Sequence, residues 1–164
     1  MSRRVGEEGE GFRYILDGLN PERILISGEA LGIGRAALNK AVTYANNRII
    51  FGRPIGQNQG LAFPLADSHA RLHAAELVIR NASWRYDNGL DCGEHANLAK
   101  YLASEAAFDC ADRAMQTHGG FGYAKEYDVD LYWRERLLMN IEPVSQEIVL
   151  YYVSNKVLGL PRSY

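Results

Sequence analysis

Residues 20–48, NPERILISGEALGIGRAALNKAVTYANNR, decide the fold class. Asn20 followed by Pro21 reads as a helix start, because Asn caps the free N–H groups of a first turn and Pro fits its first position. From there Leu25, Gly28, Leu31, Gly32, Ala36, Val42 and Ala45 keep small and apolar residues at helical spacing as far as Arg48. The glycines weaken this helix yet would let a neighbour approach closely. Outward from it, Gly and Pro in FGRPIGQNQG (51–60) break the pattern. A second helix is expected over 61–87, ended by Asn88-Gly89, and the loop through Gly93 is short enough for an antiparallel neighbour. A third is expected over 94–117, stopping at His118-Gly119-Gly120. The segment GFGYAKEYDVD (120–130) reads as a loop, 129–138 as helix again, and Pro143 as an interruption. Ser145 caps a last helix to Leu158, ended by Gly159 and Pro161. Upstream, residues 1–10 are Gly/Glu-rich and read as a linker or frayed end, and 12–16 form a short apolar lead-in. No segment sustains period-two alternation. The expected fold is all-α, an antiparallel up-and-down four-helix bundle over 11–164 with the C-terminal pieces as its fourth helix.

The 164 residues are one domain's worth, and 47% hydrophobic with 23% charged residues argues against disorder. Eighteen basic against twenty acidic residues leave a net charge of −2 and no electrostatic footprint for nucleic acid or an anionic membrane. Cys92 and Cys110 cannot build a disulfide framework and lack zinc-site spacing, as expected of a reduced, cytoplasmic protein. The charged N-terminus lacks a signal peptide's apolar core, and no apolar run reaches membrane-spanning length.

HExxH, a P-loop lysine, GxSxG and a dinucleotide fingerprint are all missing. His69, His73 and Glu76 share a helical face that could hold a metal, but with no second pair they read as a solvated face, and no metal is expected. Trp84, Tyr86, Trp133, Tyr151 and Tyr152 read as core or interface anchors. Two glycine-rich breaks carry more. In the first, Arg48 at a helix end precedes Phe51-Gly52-x-Pro54 and Gln59, an arginine placed for phosphate with a glutamine for a base edge or ribose. In the second, Gln116-x-x-Gly119-Gly120-x-Gly122 offers backbone bare enough to lie against a pyrophosphate. Each is equally readable as an ordinary helix C-terminus and its turn.

Together, NNRIIFGRPIGQNQ (46–59) and MQTHGGFGYAKEYDVDLYWRE (115–135), with VGEEGEGFRYILDGLNPER (5–23) before them, resemble the C-terminal helical domain of the acyl-CoA dehydrogenase family. The resemblance spans nearly the whole chain. It implies oxidation of an acyl-CoA thioester to the 2,3-enoyl-CoA on FAD, with a Glu base, hydride transfer to the flavin and an electron-transferring flavoprotein as acceptor. It also implies a dimer or tetramer in which this domain meets FAD across a subunit interface. By match to the motifs, Arg48, Phe51, Gln59, Gln116, Gly119 and Gly120 would border the FAD of a neighbouring subunit. Ser145 and Glu147 fall where the family places flavin contacts.

The base is where this sequence departs. Many members carry Tyr-Glu-Gly-Thr-Ser in the loop after the fourth helix, and here the stretch is Glu142-Pro143-Val144-Ser145-Gln146, with Pro143 at the base position and Glu142 one residue early. The isovaleryl and long-chain enzymes carry the base instead at the start of the first long helix. That segment is Asn20-Pro21-Glu22-Arg23 here, so the resemblance assigns the base to Glu22, with Glu142 as the alternative and Asn20 and Arg23 beside the substrate. A Glu in a first helical turn could equally complement the helix dipole. Complete members have N-terminal helical and middle β-domains, so this chain is expected to be an excised domain or one part of a split protein, inactive alone. Competing expectations are a same-fold nitroalkane oxidase or monooxygenase, and a helical assembly module without flavin.

Overall fold

The computed structural model describes residues 4–162 as a four-helix bundle. Helix α1 spans Gly11–Asn47, α2 Gln59–Asp87, α3 Gly93–His118, and α4 Val129–Ile141 with the short α5 Gln146–Tyr152 completes the fourth position. A two-stranded antiparallel hairpin, β1 Ile49–Ile50 and β2 Arg53–Pro54, joins α1 to α2. Met1–Arg3 of the expected linker and Ser163–Tyr164 at the end of the expected bundle lie outside the described residues.

Small residues set the packing. Helix α3 lies against α1, α2 and α4, and its buried face is Ala96, Ala99, Ala103, Ala106, Ala107, Cys110, Ala111 and Ala114. Helix α1 answers with Ala30, Ala37, Ala41 and Ala45. At Gly34 a Cβ would stand 2.8 Å from Leu72 Cδ2 and 3.1 Å from the Ala107 backbone, so only glycine lets three helices meet there.

The first helix differs from expectation. Pro21 lies inside α1, which begins ten residues earlier at Gly11. Asn20 does not cap: its Oδ1 accepts from the Arg23 guanidinium at 3.1 Å, and the helix tolerates one missing N–H at Pro21. Its buried stripe runs through Arg23, Ser27, Ala30, Leu31, Gly34, Ala37, Leu38, Ala41 and Ala45, so Leu25 and Val42 point outward. Gly28 and Gly32 face open space, and the close approach falls on Gly34 instead.

Elsewhere the differences are local. The 51–60 break contains the hairpin, whose turn residues Phe51 and Gly52 both have positive φ, 52° and 76°, the pattern of a tight two-residue hairpin turn. The 120–130 loop is two short 3-10 turns, Gly119–Tyr123 and Lys125–Tyr127, before α4 begins. The last helix passes into a π-helical turn over Val153–Val157. Trp84 and Tyr86 are exposed and belong to no core. No helix among the described residues is long and apolar enough to cross a membrane.

Candidate functional site

The expected site residues collect at two ends of the bundle. At one end α1 and α3 both finish. The Arg48 N–H donates to the Tyr44 carbonyl at 2.8 Å, and the Arg48 carbonyl accepts from Ile55 N–H at 2.9 Å, which folds the hairpin back against the helix end. The Arg48 guanidinium lies over the Phe121 ring, 5.6 Å from its centroid. Among the described residues no carboxylate pairs with it. Opposite, Gly119 turns the chain at φ 58° and ψ −134°, a conformation that strains any side chain. A Cβ on Gly119 or Gly120 would meet nothing within 4 Å, so this backbone is bare towards solvent.

Arg48, Gln116, Gly119 and Gly120, four of the expected cofactor residues, line one cavity of about 470 Å³ with Tyr44 and Phe121. Its wall contains two residues the sequence reading passed over. The Tyr44 and His118 rings stack at 4.3 Å, and Tyr127 meets both edge-on. The His118 ring nitrogen Nδ1 donates to the Ala114 carbonyl at 2.8 Å. Burial holds the His118 pKa below the ordinary imidazole value, partly offset by that hydrogen bond, so the ring is neutral at pH 7. Two helix C-termini, each partly negative, also face this end. Arg48 is therefore the cation among the lining residues on which anion binding would depend. Phe51, wholly exposed at the hairpin tip, and Gln59, exposed at the start of α2, lie outside the lining.

At the other end lie Asn20, Glu22, Arg23, Ser145 and Glu147. Arg23 is buried, holds Asn20 through Nη1 and leaves its Nε without a partner. Burial pulls its pKa down, opposed by Tyr152 and Glu22 nearby. Glu22 itself is exposed and, because α1 begins at Gly11, sits well past the first turn, so the helix dipole no longer explains it. Glu142 is exposed immediately after α4 and precedes a cis peptide bond to Pro143. Ser145 occupies the N-cap position of α5, but its oxygen accepts no capping bond from the helix N–H groups, and its hydroxyl pairs with the Glu147 carboxylate. Glu147 is held below the usual carboxylate range first by its own backbone N–H and then by Ser145.

A further residue at this end, Lys100, was missed. It is wholly buried on α3, and its Nζ donates to the Asn140 carbonyl at 3.1 Å. Its signal in the sequence is a lysine set among Ala96, Ala99 and Ala103 on an otherwise small-residue face. Of the metal-spaced residues, Glu76 is paired to Arg35 and, at 2.7 Å, to Arg80.

Residues 9–157 match the family model for the acyl-CoA dehydrogenase C-terminal domain. The chain is 45% identical over 162 residues to the acyl-CoA dehydrogenase FadE12 of Mycobacterium tuberculosis, a match covering 98% of this chain and 42% of that protein. Among solved structures, butyryl-CoA dehydrogenase from Megasphaera elsdenii superposes with a TM-score of 0.90 at 34% identity, covering 93% of this chain and 40% of that one. PigA, solved with FAD and proline, superposes with a TM-score of 0.90 at 28% identity, covering 98% and 42%. The chain thus spans about two-fifths of the length of the proteins it matches. With its all-α bundle and its arginine and glycine breaks gathered on one cavity, the chain belongs to the acyl-CoA dehydrogenase family, as a C-terminal helical domain of that family.

Proposed function

We propose that this chain supplies the helical part of the active site of a flavin-dependent acyl-CoA dehydrogenase, which oxidises an acyl-CoA thioester to its 2,3-enoyl product. The observation that carries the reading is the separation of the two clusters. The ~1.5 Å rise of an α-helix puts Arg23 and Arg48 roughly 37 Å apart along α1, a spread longer than one extended dinucleotide. One chain cannot bring both ends to a single cofactor, whereas two copies can. Self-association, as a dimer or tetramer, is then part of the site.

The cavity end suits the phosphate-bearing part of FAD. Arg48, unpaired, would hold the pyrophosphate. Gly119 and Gly120 admit close approach of the backbone, Gln116 offers an amide, and Phe51 and Gln59 would border the same cofactor from outside the cavity. At the other end Ser145 and Glu147 would meet the flavin of the neighbouring copy. FAD, when bound, supplies the acceptor for the hydride that leaves the substrate's β-carbon. Glu22 takes the α-proton onto its carboxylate, for which it is free: no ion pair engages it among the described residues. Asn20 and Arg23 border the substrate beside it. The N-terminal and middle domains of the family would complete the site in cis or in trans, and an electron-transferring flavoprotein would take the electrons, in the cytoplasm.

The test is Glu22→Gln in the full-length protein. Flavin reduction by acyl-CoA should fall by at least about a hundredfold with FAD retained, as for loss of a general base. Unchanged reduction in Glu22→Gln together with loss in Glu142→Gln would move the base to Glu142. A second reading rests on Pro143 at the position where many members carry the base: a same-fold flavin enzyme of other chemistry. Oxygen consumption without enoyl-CoA formation would select it.

A further inference from the structure

The C-terminal carbonyls of an α-helix have no partners within the helix, and a buried helix end must find them elsewhere. In α4 they are found on another helix. The Met139 carbonyl accepts from Ser104 Oγ at 2.8 Å and the Asn140 carbonyl from Lys100 Nζ at 3.1 Å, both donors lying one turn apart on α3. The Asn140 side chain accepts from Gln146 Nε2 at 3.1 Å, and the same amide nitrogen donates to Glu105 Oε1 at 2.9 Å. The segment from α4 to α5, which carries Glu142, Ser145 and Glu147, is therefore tied to one face of α3 at both its ends.

Lys100 is the unusual member. It is the largest fully buried side chain among the described residues, and none of their carboxylates pairs with it. Burying an ammonium ion is costly, and stability alone would favour an apolar residue. What the ammonium meets is the partly negative end of α4, a helix dipole in place of a counter-ion.

We propose that Lys100, assisted by Ser104, is a positioning residue: it caps α4 from α3 and so sets the placement of the Glu142–Glu147 turn. That the turn serves a flavin rests on the function proposed above, but the anchoring can be read with no cofactor present. The groups facing Lys100 are Arg23 from α1, Glu147 from α5, the Asn140 carbonyl from α4, and Glu105 on its own helix. Burial lowers its pKa to about 8, with Glu147 opposing the shift. Glu147, held low, stays ionised through that range, and Lys100 is the member of the group that changes charge there.

The measurement is amide hydrogen exchange of the 164-residue chain, followed peptide by peptide. Lys100→Met should raise exchange over residues 141–147 by about tenfold or more, the loss of one charged hydrogen bond, and Ser104→Ala by a few-fold. Exchange over α1 and α2 should stay unchanged and the melting temperature should not fall, because the desolvation cost of the ammonium is relieved. In the wild type the same peptides, corrected for intrinsic rates, should become better protected as pH rises through about 8, because opening the turn exposes Lys100 and favours its protonated form, and Lys100→Met should lack that inflection. Unchanged exchange in the turn, or loss spread equally over all helices, would overturn the proposal. Should Lys100→Met fail to fold, Ser104→Ala decides: exchange raised only over 141–147 supports the anchoring, and no rise there refutes it. A loosened turn alongside full FAD retention in the full-length protein would refute the flavin-contact reading and leave the anchoring standing.

Discussion

The two ends of the bundle treat positive charge in opposite ways. Arg48 lies exposed at the close of α1, over one aromatic ring and with no carboxylate paired to it among the described residues. Arg23 and Lys100 are buried at the other end, held by Asn20 Oδ1 and by the Asn140 carbonyl. An exposed cation costs the fold almost nothing and contributes little to it. A buried one carries a desolvation cost, and its hydrogen bonds serve the interior. The first is open to solvent; the others are engaged by groups of the bundle itself. The same residue chemistry thus takes two settings, distinguished by burial and partner.

The sharpest test of that contrast is Arg48→Ala in the full-length protein. FAD affinity should weaken by about tenfold to a hundredfold, the worth of one charge-assisted hydrogen bond. The melting temperature of the flavin-free form should stay within the small range of a surface substitution. Equilibrium titration of FAD fluorescence measures the first, and a thermal scan the second. An Arg48→Ala protein that binds FAD normally but melts early would mean this cation, too, is structural, and the two ends would no longer differ.

At the buried end the contrast makes a prediction about pH. Lys100 titrates near 8 in the folded chain and near its ordinary 10.5 when unfolded, so between those values the unfolded state holds more protons. Stability therefore rises with pH across that window. Between pH 8 and 9 the gain should be about fivefold in the folding equilibrium, roughly 1 kcal/mol, because the folded group is only half deprotonated at pH 8. Urea midpoints of wild type and Lys100→Met give the gain as a difference, which removes the other titrating groups. Parallel midpoint curves would mean the ammonium is not buried in solution.

These charges were unequally legible in the sequence. The arginine and glycine breaks stood out because Arg48, Gln116, Gly119 and Gly120 sit at helix ends, where local chemistry and long-range position coincide. Three long helices were readable from spacing and punctuation. The start of α1 was not: Asn20-Pro21 satisfies every local rule for an N-cap, but Asn20 is engaged by Arg23, a side-chain contact no propensity encodes. The buried stripe of α1 was also misjudged, because alanine and glycine fill it and leave little hydrophobic contrast with the outer face. Lys100 escaped for a different reason. A lone lysine reads as solvent-facing unless the partner at Asn140, 40 residues on, is known.

The smallest effect concerns His118, whose neutrality leaves Arg48 as the cation of the cavity. Burial depresses its pKa below 6.5, the Ala114 carbonyl opposes the shift, and Lys40 from α1 adds to it, with Tyr44 and Tyr127 as the rings packed around it. With the folded value below the unfolded one, its contribution is complete above pH 6.5 and is lost as pH falls from there to the lower folded value, because the unfolded chain takes the proton first. His118→Phe keeps the ring stack and removes the titration. Stability of the variant should therefore fall less than that of the wild type between pH 7 and 5.5, as thermal or urea midpoints at the two pH values would read. FAD affinity sharpens the point. If it strengthens in the wild type as pH drops below 6.5, and not in His118→Phe, the imidazole shares the anion with Arg48; if both respond alike, Arg48 acts without it.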